Sequence, residues 1–212
     1  MTPAAFGRES FKFMSELLHN NNKNWFDANR ARYEEHVREP LKALAAALET
    51  PARDLIPGFT GPAKIARINN DIRFSPGKPP YKTHLWVEFP AGPNCLAGIM
   101  FYLDGEGWGA GCCVQGAKTA DLHPWRRRLI ERASEWRRLW KTAANNAPLV
   151  KHIPDSFKKP IFDDIPADLL DLVQARSVWI VQSPRRELPR SPEAAALSAL
   201  KEMLPLYRFM AG

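Results

Sequence analysis

Lys64-Ile-Ala-Arg67-Ile-Asn-Asn-Asp71-Ile-Arg73-Phe-Ser75-Pro-Gly77-Lys78-Pro-Pro-Tyr81-Lys82-Thr-His84 is the stretch on which the reading of this chain turns. Residues 64–68 read as a strand. A second strand runs from Thr83 to Phe89, where Leu85, Val87 and Phe89 oppose His84, Trp86 and Glu88. Between them the Pro- and Gly-rich middle reads as a loop. The stretch carries five Lys/Arg and a single Asp. Two strands and a stiff loop thus bring several cations to one small surface, which suits an anionic partner better than a packed core.

Further strands follow on the C-terminal side. Ala97 to Leu103 and Trp108 to Val114 are joined by Asp104-Gly105-Glu106-Gly107, which has hairpin chemistry. Gly109 and Gly111, two apart, share a face on which a large group can pack closely. Ser177 to Gln182 adds one more strand. Between these, Asp121 is the expected N-cap of a helix reaching about Thr142. Its apolar stripe is Leu122, Trp125, Leu129, Ala133, Trp136 and Trp140, with its arginines mostly on the solvated sides. Four prolines cut any long element in residues 145–176. Ser191-Pro192-Glu193 starts a last helix that runs to about Met203, with Pro205 opening a short final turn.

On the N-terminal side, Ser10 to Asn20 has a helical stripe of Phe13, Met14, Leu17 and Leu18, stopped by Asn20-Asn21-Asn22. Trp25, Phe26, Asn29, Tyr33, Val37, Leu41, Leu44 and Leu48 step down a second helix. Pro40 should kink it, and Pro51 and Pro57-Gly58 should end it. The expectation is one α+β domain over residues 1–212, an antiparallel central sheet of four to six strands packed by N-terminal, middle and C-terminal helices.

Several of these pieces together resemble the domain of unknown function 2461 family of bacterial and fungal proteins. They are Asn20-Asn21, Trp25-Phe26, Tyr33-Glu34, Asp71-Ile-Arg73-Phe-Ser75 and Lys78-x-Pro80-Tyr81-Lys82-Thr83. The Phe101-Tyr102 and Gly109-x-Gly111 hairpin and Leu204-Pro205-Leu206 also fit. The resemblance implies a single α+β domain and assigns no activity. The chain departs from the family pattern at Asn70, at Pro76-Gly77 and after residue 150, differences that weaken an inherited anion site.

The formal charge of +7 is focused in two places. One is the 64–84 stretch. The other is residues 125–141, with Arg126, Arg127, Arg128, Arg132, Arg137, Arg138 and Lys141 against Glu131 and Glu135; the remainder of the chain is slightly acidic. Cys95, Cys112 and Cys113 form no C-x-x-C pair, and adjacent cysteines cannot close an unstrained disulfide. With no secretory signal, they point to a reducing cytoplasm. No stretch approaches the roughly 18–20 apolar residues of a membrane span, so no membrane partner is expected. The histidines (His19, His36, His84, His123, His152) lack metal-ligand spacing, and neither a metal nor a cofactor is expected.

The candidate ligand-binding residues are Arg67, Arg73, Lys78, Tyr81 and Lys82. Arginine offers a planar fork to phosphate or carboxylate, and lysine a flexible point charge. Tyr81 would orient the ligand through its hydroxyl, or else anchor the loop to the core beneath it. Arg73, between Ile72 and Phe74, could instead turn inward to an acid. Asp71 sits among cations that depress its pKa, which suits a structural bridge better than a general base. His84 is the best-placed base, and Cys112-Cys113 has no activating partner. Three functions remain: a small phosphate- or carboxylate-bearing ligand at the 64–84 loop, a nucleic-acid accessory role using both basic segments, or a non-catalytic interaction module. The sequence specifies neither a catalytic residue nor an oligomeric state.

Overall fold

A computed structural model describes residues 6–71, 77–90, 95–116 and 118–212. Its centre is a six-stranded, wholly antiparallel sheet in the order β1-β2-β3-β4-β6-β5. The strands are β1 (Lys64–Ile65), β2 (His84–Pro90), β3 (Ala97–Asp104), β4 (Trp108–Gln115), β5 (Leu149–His152) and β6 (Ser177–Gln182). The fold is α+β, as the alternating strand patterns imply.

Register puts Leu85, Val87 and Phe89 beside Leu103, Phe101 and Ile99, then Ala110, Cys112 and Ile180, on one face. The helices cover that face. They are α1 (Arg8–His19), α2 (Lys23–Ala28), α3 (Arg30–Tyr33), α4 (Glu39–Leu55), α5 (His123–Glu131), α6 (Ala133–Ala143), α7 (Leu170–Gln174) and α8 (Pro192–Ala211). A π-helical turn, Glu34–Arg38, joins α3 to α4 just before Pro40, so the predicted kink takes this form. The final helix α8 crosses the middle of the sheet and buries Leu200, Met203, Leu206, Tyr207 and Met210, among others. Each large side chain of this kind contributes about 1.5–3 kcal/mol on burial.

Two prolines expected to break helices do not. Pro51 lies inside α4, which continues to Leu55, and Pro205 lies inside α8, which continues to Ala211. A helical proline strips the carbonyl four residues earlier of its N–H partner. Here those carbonyls belong to Ala47 and Lys201, both exposed residues, so the lost bond falls on the solvent side of each helix, where it costs least. The predicted helix from Asp121 is also corrected. It divides at Arg132 (φ −117°) into α5 and α6. Asp121 falls in a preceding 3-10 turn, where its carboxylate accepts from the Lys118 N–H at 2.7 Å instead of capping the helix.

The opposite face of the sheet is not bare. Met100, Tyr102 and Cys113 are 5%, 7% and 2% exposed there. Glycines make the room: a Cβ on Gly109 would stand 2.8 Å from Tyr102 Cε1, and one on Gly111 2.7 Å from Val181 Cγ1. Tyr102 therefore lies flat and donates to the Gln182 carbonyl at 2.5 Å. Cys112 and Cys113 alternate across β4, yet both are buried because both faces of the sheet are covered here. Burial pushes the Cys113 thiol up to about 12 and raises Cys112 as well, so neither is a nucleophile at neutral pH.

Candidate anion-binding loop

The β1–β2 hairpin continues past β1 as an irregular ladder. Ala66 N–H donates to Trp86 O, Lys82 N–H to Ile68 O and Asn70 N–H to Pro80 O, at 2.9, 2.7 and 2.8 Å, with a bridge pairing Asn69 and Tyr81. Asparagine side chains finish what the backbone cannot. Asn70 Nδ2 donates to the carbonyls of Pro79 and Tyr81 at 2.8 and 3.0 Å. Asn21, from the turn between α1 and α2, accepts from Tyr81 N–H at 3.0 Å and donates to Tyr81 O at 2.9 Å. The Asn20–Asn22 run read as a helix break, and Asn22 does cap α2 by accepting from Trp25 N–H; the reach of Asn21 across the fold left no local signal.

Tyr81 is an anchor. It is 6% exposed and its ring stacks on Phe26 with centroids 4.0 Å apart and planes at 15°. Such a pair adds about 0.5–1.5 kcal/mol beyond its buried area. The packing assigns the ring to the core, the anchoring alternative of the two.

The cations divide by function. Lys82 turns its ammonium onto the chain, donating to Arg67 O at 2.7 Å and Asn69 O at 2.5 Å. Its pKa is lowered, first by burial and then by the charges of Lys78 and Arg67. Arg67 and Lys78 thus stand close enough for their charges to act on Lys82. Arg67 and Lys78 are exposed. Gly77, beside Lys78, has φ +85° and open space where a Cβ would be, so a left-handed turn carries Lys78 outward. Arg73, with Ile72, Phe74, Ser75 and Pro76, lies outside the described residues.

At the end of this loop His84 stacks on Trp86 at 5.7 Å. Close packing lowers its pKa; Asp104 opposes that shift, while His152 and Lys82 reinforce it. Asp104 is itself raised by burial, although its carboxylate accepts from Glu106 and Gly107 N–H in the hairpin turn. Among the described residues no group of three His, Cys, Asp or Glu side chains is arranged to hold a metal.

The second basic segment is solvated at Arg127, Arg132, Arg137, Arg138 and Lys141, as expected, but not at Arg126. Arg126 is fully buried, its guanidinium donating to Val173 O and Ala175 O. Arg128 donates to Phe209 O at 2.7 Å at the end of α8. Arg132 pairs with Glu135, and Arg137 grips both oxygens of Asp168 at 2.8 Å. Among the seven cations, Arg127, Arg138 and Lys141 are exposed and make no side-chain bond or ion pair of this kind to the described residues. The periodicity located the apolar stripe correctly but missed that Arg126 lies beside Trp125, where α7 offers it carbonyls.

No helix among the described residues is long and apolar enough to cross a membrane. A family model described as "Conserved hypothetical protein (DUF2461)" matches residues 9–209. No curated protein matches the chain.

Proposed function

The chain belongs to the DUF2461 family, and from that premise we propose that it is a cytoplasmic protein binding a small phosphate- or carboxylate-bearing molecule at the 64–84 loop. The observation that carries this reading is the convergence of Arg67, Lys78 and Lys82. Lys82, fixed by two main-chain carbonyls, holds a positive charge in place, and its pKa is depressed first by burial and then by the charges of the other two. Cations gathered at mutual cost are relieved by an anion. Arg67 and Lys78 would make the contacts, Lys82 would supply charge from within the loop, and Tyr81 with Asn21 would keep the frame rigid. Rigid presentation lowers the ordering cost of binding. The free cysteines Cys95, Cys112 and Cys113 fit a reducing compartment.

Extended nucleic acid is a weaker fit, because Arg126, Arg128, Arg132 and Arg137 are committed to partners within the chain. A thermal-shift screen of phosphorylated and polycarboxylate metabolites at fixed ionic strength tests the reading. A ligand at a hundredfold excess over Kd adds about 2.7 kcal/mol of stability. If no anion raises the melting temperature, the reading fails.

A further inference from the structure

At the end of β4 away from the hairpin that meets His84, a cavity of about 370 Å³ opens. Lys118, Arg126 and Arg176 line its cationic side, with Asp155, Phe157 and Ser177 completing the wall. Gln115 and Ser177, paired across β4 and β6, make one side rigid. The short stretch before α7 is tied down as well: Phe157 N–H donates to Gln174 O and Arg176 N–H to Asp155 O, both at 2.9 Å.

The guanidiniums are held in place. Arg126 Nε and Nη2 donate to Val173 O and Ala175 O at 2.9 and 2.7 Å. Arg176 Nε meets Asp155 Oδ2 at 2.8 Å. The Phe157 ring carries both cations, with Arg176 Cζ 4.3 Å and Arg126 Cζ 5.4 Å from its centroid. Three cations and one carboxylate line the same space, so its potential is positive. Asp155 offsets the charge of Arg176, while an aromatic ring and main-chain carbonyls orient both guanidiniums, so cations still outnumber the one carboxylate along this wall.

We propose that this cavity binds the phosphoryl group of a small phosphate-bearing molecule. Arg176 and Lys118 contact its oxygens, and Arg126 supplies charge from the buried side. A carboxylate offers two coplanar oxygens, which a single fork satisfies. Cations arriving from three elements, the segment after β4, helix α5 and the entry to β6, match the spread oxygens of a tetrahedral dianion. The site is separate from the 64–84 loop and shares no residue with it.

The test is a titration of the ¹⁵N-labelled chain with inorganic pyrophosphate at constant ionic strength, followed at the amides of Gly116, Lys118 and Ser177. These resonances move saturably in the wild type and in Arg67→Ala/Lys78→Ala, and that movement is lost in Lys118→Ala/Arg176→Gln. Should Arg176→Gln disturb the fold, Lys118→Ala alone, at an exposed position, must still weaken the response. Amides that stay still in the wild type, or move equally in the Lys118 variant, overturn the proposal.

Discussion

Asn21 and Tyr81, sixty positions apart, exchange two hydrogen bonds, the asparagine amide standing in for a neighbouring strand at the edge of the 64–84 loop. Asn21→Ala strips the partly buried Tyr81 N–H of its acceptor and leaves Tyr81 O with the Asn70 amide alone. Leaving such groups unsatisfied costs about 1–3 kcal/mol. Chemical denaturation should register a loss in that range, and Asn21→Asp, which keeps the acceptor and forfeits the donor, should fall between Ala and the wild type.

Tyr81 acts through its ring, so the two halves of the side chain separate experimentally. Tyr81→Ala deletes the stack on Phe26 and should cost about 3–5 kcal/mol, as for other buried aromatic truncations. Tyr81→Phe keeps the stack, and anion-induced thermal shifts should survive it unchanged. Loss of those shifts in Tyr81→Phe would return the hydroxyl to the binding site.

Arg126 gives the sharpest contrast within one helix. Replacing its fork with the single ammonium of Arg126→Lys leaves Val173 O or Ala175 O short of a donor, and bonds of this charged kind are worth about 1.5–3 kcal/mol each. Arg127→Lys, one residue along and exposed, should stay within about 0.5 kcal/mol of the wild type. Equal denaturation midpoints for the two variants would contradict the burial of Arg126.

His84 should make stability fall on mild acidification. Its folded pKa lies below the ordinary histidine value, so between the two the unfolded chain binds the proton and the folded chain does not. Stability therefore drops as pH falls through that interval and levels off below the folded pKa. His84→Gln should flatten this limb in urea midpoints compared between pH 7.5 and 5.5. An unchanged slope would assign the pH dependence to other groups.

Local pattern carried the fold a long way. Alternation in Thr83–Phe89 and the turn chemistry at Asp104–Gly107 marked the centre of the sheet, because strand period and turn type are local properties. Pro51 and Pro205 misled because the cost of a helical proline depends on the exposure of Ala47 and Lys201, a tertiary fact. The cations of the loop were legible as a run of residue types. Their directions were not, since Lys82 turns inward onto carbonyls that only the folded hairpin brings together. Tyr81 depended on Phe26, delivered by a separate helix.

The most direct measurement follows the amides of Asn70, Lys78 and Lys82 in the ¹⁵N-labelled chain during titration with the most stabilising anion from the screen. Saturable movement is expected in the wild type and in Arg127→Ala/Arg138→Ala, which removes the same charge elsewhere, and none in Arg67→Ala/Lys78→Ala. Resonances that remain still in the wild type, or shift alike in both double variants, would contradict an anion site at this loop.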